Sequence, residues 1–99
     1  MLLHTVNQSP TAANTLQSAV RALLPGAHLL LLQDAVYAAV DGSATAELLL
    51  GLDGVNCHVL APDAAARGLS ERVAAGIGQI SYEDFVRLST ECHAVQSWY

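Results

Sequence analysis

Runs of apolar residues, each followed by polar turn residues, divide this chain into alternating strands and helices. The longest run, AHLLLLQDAVYAAV, contains the four consecutive leucines Leu29–Leu32 and shows no alternation of apolar and polar positions. A continuous run of this kind is typical of a strand buried on both faces, in the middle of a parallel sheet. Shorter apolar runs predict three more strands. The predicted strands are Leu2–Val6, His28–Gln33, Val55–Ala61 and Ile77–Ser81.

The segments between these strands carry apolar residues at helical spacing. In the last segment this spacing predicts that Phe85, Val86 and Leu88 face inward. Ser43 and Ser81 stand where helix N-caps are needed, and Asp84 three residues after Ser81 completes a weak capping-box pattern. The predicted helices are Thr11–Leu24, Ala35–Val40 with Asp34 as N-cap, Ala44–Leu50, Ala64–Arg67 and Tyr82–Cys92; Leu69–Ala75 is predicted as loop with some helix.

Strands that alternate with helices predict an α/β fold, here a small three-layer α/β/α sandwich with a mostly parallel sheet of four or five strands. The 99 residues form a single domain, 1–99. Open sheets of this class bind ligands beyond the carboxyl ends of their strands, where the strand order reverses. Asp34 follows the central strand, so it can either orient a group at that point or cap the next helix. Tyr37, on that short helix, is a second candidate for the cleft or for an interface.

The composition favours an oligomer. Hydrophobic residues make up 53% of the chain and charged residues only 13%, so some apolar surface is expected to be buried against partner subunits. The alternative is a monomer with an alanine-rich surface. The net charge of −5, with four arginines and no lysine, argues against direct nucleic-acid or membrane binding by this chain. No apolar run approaches the roughly 20 residues that span a bilayer. We therefore expect a cytoplasmic chain with reduced thiols.

The candidate chemical groups are few. Cys57 lies inside a predicted strand and is expected to be a buried core residue, whereas Cys92 ends the last helix, where the helix dipole disfavours a thiolate. The cysteine and histidine spacings match no zinc motif, and no phosphate-binding glycine loop is present, so no metal or cofactor site is predicted. The terminal pair Trp98 and Tyr99 is expected to pack on this chain or on a neighbour.

Four segments of the chain resemble the DsrH/TusB family. They are LHTVNQSP (Leu3–Pro10), LLLLQDAVYAAVDG (Leu29–Gly42), VLAPDAAARGL (Val59–Leu69) and ISYEDFVRLSTECHAVQSWY (Ile80–Tyr99). The resemblance implies a DsrE/DsrF-like α/β fold. It also implies a subunit that assembles with DsrE/TusD-like and DsrF/TusC-like paralogues into a heterohexamer. When the chain is expressed alone, we expect homo-oligomers that imitate the missing contacts. Such complexes relay persulfide sulfur, either to the 2-thio group of wobble uridine in tRNA or into cytoplasmic sulfur oxidation.

One departure from the family pattern bears on the role of this subunit. Many members of the DsrH type carry a cysteine in the first helix, and Ala19 occupies that position here. The resemblance places the active persulfide cysteine on the DsrE/TusD-like subunit. We therefore predict a non-catalytic subunit of a sulfurtransferase complex serving tRNA thiolation, with Asp34, Tyr37 and Trp98 at an interface or cleft. The alternatives are a subunit for sulfur oxidation, a sulfur carrier through Cys92 or Cys57, and a small-molecule binding module near Asp34.

Overall fold

Five parallel strands form one sheet in the computed structural model, which describes residues 2–11 and 14–99. The strand order is β4-β3-β2-β1-β5, so β2, which contains Leu29–Leu31, is central as predicted. All four pairings are parallel. The fifth strand comes from the terminal segment, for which the sequence pattern predicted no strand. The strands are β1 (Leu2–Val6), β2 (His28–Leu31), β3 (Asn56–Leu60), β4 (Gly78–Ile80) and β5 (Ala94–Trp98).

Helices connect the strands at the predicted places, with small differences at their ends. The predicted short helix after β2 is a 3-10 helix, and it begins at Gln33, which the apolar run predicts as the last residue of the strand. Ala61, predicted as the last strand residue, is the first residue of the third helix. Residues 12 and 13 of the predicted first helix lie outside the described residues. The helices are α1 (Thr15–Ala22), the 3-10 helix (Gln33–Ala39), α2 (Ala44–Leu50), α3 (Ala61–Ala66) and α4 (Tyr82–Glu91).

Alternation of side chains along the strands separates two layers, which we call the first and second faces of the sheet. On β2, Leu29 and Leu31 belong to the apolar cluster of the first face, together with residues of α1, the 3-10 helix, α2 and α3. Leu30 belongs to a smaller cluster on the second face, which Phe85 and Leu88 of α4 cover. The predicted three-layer α/β/α architecture is therefore confirmed, with α4 alone among the described helices on the second face.

Two of the three predicted helix caps are present. The hydroxyl of Ser43 accepts the Ala46 amide at 3.1 Å, and Ser81 forms a complete capping box with Asp84. The prediction that Asp34 caps a helix is wrong, because the 3-10 helix begins one residue earlier and shows no side-chain cap. The prediction that Val86 faces inward is also wrong: its exposed fraction is 61%.

The terminal aromatic residues differ in their environment. Trp98 is half-buried against the first-face cluster, and its indole N–H donates to Nδ1 of His4 at 3.1 Å. Trp98 therefore packs on its own chain, as expected. Tyr99 is 80% exposed, while its carbonyl accepts a hydrogen bond from the Thr15 hydroxyl at 3.0 Å. Within the described part of the chain, no helix has the length and apolarity that a membrane span requires.

Candidate functional site

The strand order places the ligand-binding crevice of this fold next to β1 and not next to β2. Connections from β1 through β4 move in one direction along the sheet, and α4 then returns the chain to the far side of β1. The order therefore reverses between β1 and β5, and this is where open α/β sheets bind ligands. Asp34 follows β2, so the expectation that it stands at this switch point is wrong. The loop that begins at Asn7, directly after β1, stands there instead.

A cavity of about 520 Å³ opens beside the loop that follows β1. Tyr37 lines it from the 3-10 helix with 43% of its surface exposed, so the structure does place this predicted residue in a cleft. Hydroxyl groups and small apolar groups make up the walls. The described residues that line it are Ser9, Pro10, Thr11, Tyr37, Ser43, Ala44 and Thr45. None of these side chains is charged, so they can offer hydrogen bonds to a neutral polar group.

Several of these hydroxyls already have partners within the chain. Thr45 donates to the carbonyl of Ala38 at 2.9 Å, and the Ser43 hydroxyl lies 3.2 Å from Thr45 while it caps α2. Ser9 and Thr11 are paired at 3.1 Å. These bonds position the loop after β1 and the start of α2 on either side of the cavity. These hydroxyls therefore mainly stabilise the fold, and fewer of their hydrogen-bonding positions remain for a ligand.

Asp34 takes part in a polar cluster that joins the 3-10 helix to α3. Its carboxylate accepts from Nε of Arg67 at 3.0 Å, and its side chain is 61% exposed. Arg67 also donates to the carbonyl of Asp63 at 3.1 Å. The Gln33 amide donates to the Asp63 carboxylate at 2.7 Å, with Gln33 in the left-handed region at φ 49°. The cluster fixes the carboxyl ends of β2 and β3 relative to each other, and it lies on the same edge of the sheet as Tyr37.

Both thiols of the chain are buried, on opposite faces of the sheet. Cys57 lies in the first-face cluster, and burial raises the pKa of its thiol. Its Sγ contacts the carbonyl of Leu49 at 3.9 Å. Cys92 follows α4 and packs in the second-face cluster, with 8% of its surface exposed. Ala19 of α1, at the position where the resemblance expects a cysteine, is completely buried. A buried neutral thiol is a poor nucleophile, because the thiolate is the reactive form.

The four predicted site residues do not come together in one site. Asp34 and Tyr37 share the carboxyl edge of the sheet. Cys92 lies near the opposite edge, because α4 runs back from the end of β4 to the start of β5. Trp98 ends β5 and is engaged by His4. Among the described residues, no group of three or more His, Cys, Asp or Glu side chains is arranged to hold a metal ion.

Sequence reasoning missed the partners of these residues. Arg67 lies 33 positions after Asp34, and His4 lies 94 positions before Trp98, so no local pattern connects them. The hydroxyls around Tyr37 come from two separate segments. The signal available for one of these segments is its place after a strand, since such loops form the ligand-binding edge of α/β sheets.

Comparisons with known proteins agree with the resemblance. The family model described as DsrH like protein matches residues 8–95. Protein TusB of Klebsiella pneumoniae (strain 342) is 37% identical over 97 residues, covering 98% of this chain and 100% of its own length. Protein TusB of Escherichia coli O81 (strain ED1a) is 39% identical over the same share of both chains.

A solved structure supports the fold. The crystal structure of the ychN protein from E. coli matches with a TM-score of 0.83 over 97% of both chains, at 17% sequence identity. At this identity the likeness concerns the fold alone. The family rests instead on the match across residues 8–95 and on the relatives that align over almost the entire chain. This chain therefore belongs to the DsrH/TusB family.

Proposed function

We propose that this chain is a non-catalytic subunit of a cytoplasmic sulfur-relay complex, in which persulfide sulfur is passed toward the 2-thio group of wobble uridine in tRNA. Membership of the DsrH/TusB family supports the pathway. The single observation that supports the non-catalytic role is the burial of both thiols of the chain, each with an exposed fraction of 8%. A persulfide carrier needs a thiolate that can reach a donor and an acceptor in turn.

The arrangement of the cysteines also supports a reducing compartment. Cys57 and Cys92 are both unpaired, and they lie in clusters on opposite faces of the sheet. They therefore cannot form a disulfide within the chain without unfolding it. Free buried thiols are typical of cytosolic proteins, in which thiols are kept reduced.

The partners in this proposal are DsrE/TusD-like and DsrF/TusC-like paralogues in a heterohexamer. The low charge content of the chain, 13%, supports a surface that is partly covered by other subunits. The net charge of −5 without lysine supports a division of labour in which other subunits approach the tRNA. Alone, the chain is expected to form homo-oligomers through the same surfaces.

Co-expression with the two paralogues tests the assembly. The three chains are expected to co-purify in a fixed ratio, and size-exclusion chromatography that yields only separate species would contradict the proposal. A complex that assembles but does not transfer sulfur to tRNA in the presence of a persulfide donor would point to the alternative, a subunit for sulfur oxidation.

Persulfide loading followed by intact-mass analysis tests the non-catalytic role. The adduct of about 32 Da that marks one added sulfur atom is expected on the DsrE/TusD-like subunit and not on this chain. A Cys92→Ala variant tests the carrier alternative, with Cys57→Ala as its matched control. An adduct on this chain that disappears in Cys92→Ala and persists in Cys57→Ala would assign carriage to Cys92 and overturn the non-catalytic role.

A further inference from the structure

Two histidines from neighbouring strands meet on the second face of the sheet. His28 begins β2 and His58 lies in the middle of β3, and both are half-buried. Nδ1 of His28 and Nε2 of His58 are 3.1 Å apart. The site described above does not include them, and nothing in the proposed function uses them.

The geometry identifies the contact as an in-line hydrogen bond. The two ring planes differ by only 16°, and the ring centroids are 5.4 Å apart. That separation is close to the largest that a 3.1 Å contact between ring nitrogens allows, so the two nitrogens point at each other along the line that joins the rings. Two lone pairs that bound a common metal ion would instead converge on it from an angle, which would bring the centroids closer. One ring donates its N–H, and the other accepts through its lone pair.

Only one proton fits between these two nitrogens. A first added proton goes to an outward-facing nitrogen, and the hydrogen bond survives as a charge-assisted bond. With both rings protonated, two N–H groups face each other, and two positive charges repel in a half-buried position. The contact therefore holds while the pair carries at most one positive charge and breaks when it carries two.

The surroundings pack against the ring of His58 and add few compensating charges to the pair. A Cβ at Gly78 would lie 3.2 Å from Nδ1 of His58, so this ring packs directly over the backbone of β4. From α4, Asp84, Arg87 and Glu91 face a cavity of about 170 Å³ next to His58. Asp84 and Arg87 neutralise each other through a 2.6 Å ion pair. Among the described residues that line this cavity, Glu91 is therefore the remaining anionic group.

Burial dominates the electrostatics of the pair. It lowers the pKa of His28; Glu91 acts in the opposite direction, and the N-terminal amino group lowers this pKa further. Burial also lowers the pKa of His58, and the charge of His28 adds to the effect. For a histidine whose pKa is lowered by folding, the unfolded chain binds protons more readily. The folded state therefore loses stability as the pH falls below the ordinary value of 6.5.

We propose that the His28–His58 pair is an acid-sensitive clamp between β2 and β3 beneath α4, closed by one shared proton near neutral pH and opened when both rings are protonated. The clamp lies next to the C-terminal turn of α4, whose Leu88 and Glu91 line the same cavity as His58, so its opening loosens that turn from the sheet. The proposal concerns the response of the fold to pH, and it does not depend on the sulfur-relay function.

A double variant, His28→Asn with His58→Gln, separates the clamp from general acid denaturation. The Asn amide takes the place of ring Nδ1 and the Gln amide that of ring Nε2, so a hydrogen bond remains without a titratable group. Between about pH 7.5 and about pH 5, the Tm of wild type is expected to fall by about 5 °C more than the Tm of the double variant. Buried His4 is present in both proteins, and its acid sensitivity therefore cancels.

Equal losses of Tm in wild type and the double variant would overturn the clamp. A rise in the Tm of wild type on addition of Zn²⁺, absent in the double variant, would overturn it in favour of a metal site.

If the double variant does not fold, nitrogen-15 NMR of the wild-type imidazoles tests the clamp by reporting the protonation state of each ring nitrogen. One of the two facing nitrogens should be protonated and the other bare at neutral pH, and both rings should titrate below the ordinary histidine value of 6.5. Two bare facing nitrogens, or titration of the pair at or above that value, would refute the proposal.

Discussion

On the central strand, Leu29 and Leu31 point to one face of the sheet and Leu30 to the other, and all three are fully buried. Beyond these leucines the two faces differ. The first face is covered by α1, the 3-10 helix, α2 and α3, which contribute nine of the 17 buried residues in its apolar cluster, counted over the described residues. The second face has α4, in which no residue is buried and Val86 is 61% exposed. Several helices cover the first face and enclose a core there. The second face is covered by one described helix, α4, which is narrower than the five-stranded sheet.

This difference shows where the chain has room for polar chemistry. The first face is filled mainly with aliphatic side chains; its thiol, Cys57, is buried among them, and its buried histidine, His4, is paired with Trp98. The second face contains the half-buried pair His28 and His58 and the charged residues of α4 beside it. Fully packed cores exclude titratable groups unless they are paired. A thinly covered face tolerates them, because water and neighbouring charges remain close.

The largest test of the comparison removes a leucine from each face. Leu31→Ala is expected to lower the free energy of unfolding by about 3–5 kcal/mol and Leu30→Ala by about 2–3 kcal/mol. Several elements enclose Leu31 and cannot all move into the cavity, whereas α4 can settle toward the gap left by Leu30. Denaturant unfolding of both variants measures the difference. Equal losses would mean that α4 is held as firmly as the first-face layer.

A smaller effect is expected from the helix caps of the two faces. Ser43→Ala and Ser81→Ala each remove a hydroxyl that accepts a backbone amide, and each is expected to cost about 1 kcal/mol. The local consequence should differ, because α2 also buries Ala46 and Leu49, while α4 has no buried residue. Hydrogen exchange should therefore accelerate more along α4 in Ser81→Ala than along α2 in Ser43→Ala. The reverse order would show that packing, and not capping, holds α4.

The smallest effect is expected at the carboxyl edge. The ion pair between Asp34 and Arg67 is exposed, so a double-mutant cycle of Asp34→Ala and Arg67→Ala should give a coupling energy of about 0.2–1 kcal/mol. This value would agree with a first-face layer held by its core and not by its surface charges. If the coupling energy were zero and Asp34→Ala alone lowered the free energy of unfolding by about 1 kcal/mol, Asp34 would act as a helix cap and not as the partner of Arg67.

Most of the elements could be predicted from the sequence, because their signals are local. The caps Ser43 and Ser81 act on residues three positions away, and the apolar run of β2 is continuous. The exposed strand β5 could not be predicted in this way. Its residues Ala94–Ser97 are exposed, so it carries neither an apolar run nor a clear alternation. An edge strand is defined by its neighbour β1, and the pairing of these two strands spans almost the entire chain.

The candidate site shows the same limit. Tyr37 lines a cavity at the carboxyl edge, because a residue just after a buried strand falls on that edge in any α/β sheet. The predicted helix cap at Asp34 is wrong, because its carboxylate pairs with Arg67 instead. Whether an aspartate after a strand caps a helix or pairs with an arginine depends on which residue is first in the helix and on where Arg67 lies. A shift of one residue in the start of the helix decides between these two contacts. Distant segments of the chain help to set where a helix starts, so the local sequence pattern does not fix it.

The sequence by itself determined the class of the fold, the central buried strand, two helix caps and the resemblance that the family match bears out. These features depend on residues close together in the chain. Only the tertiary structure decided that the strand order reverses between β1 and β5, that Asp34 pairs with Arg67, and that His28 meets His58. Each of these depends on strand order and register. Distant segments fix both through packing that no local pattern encodes.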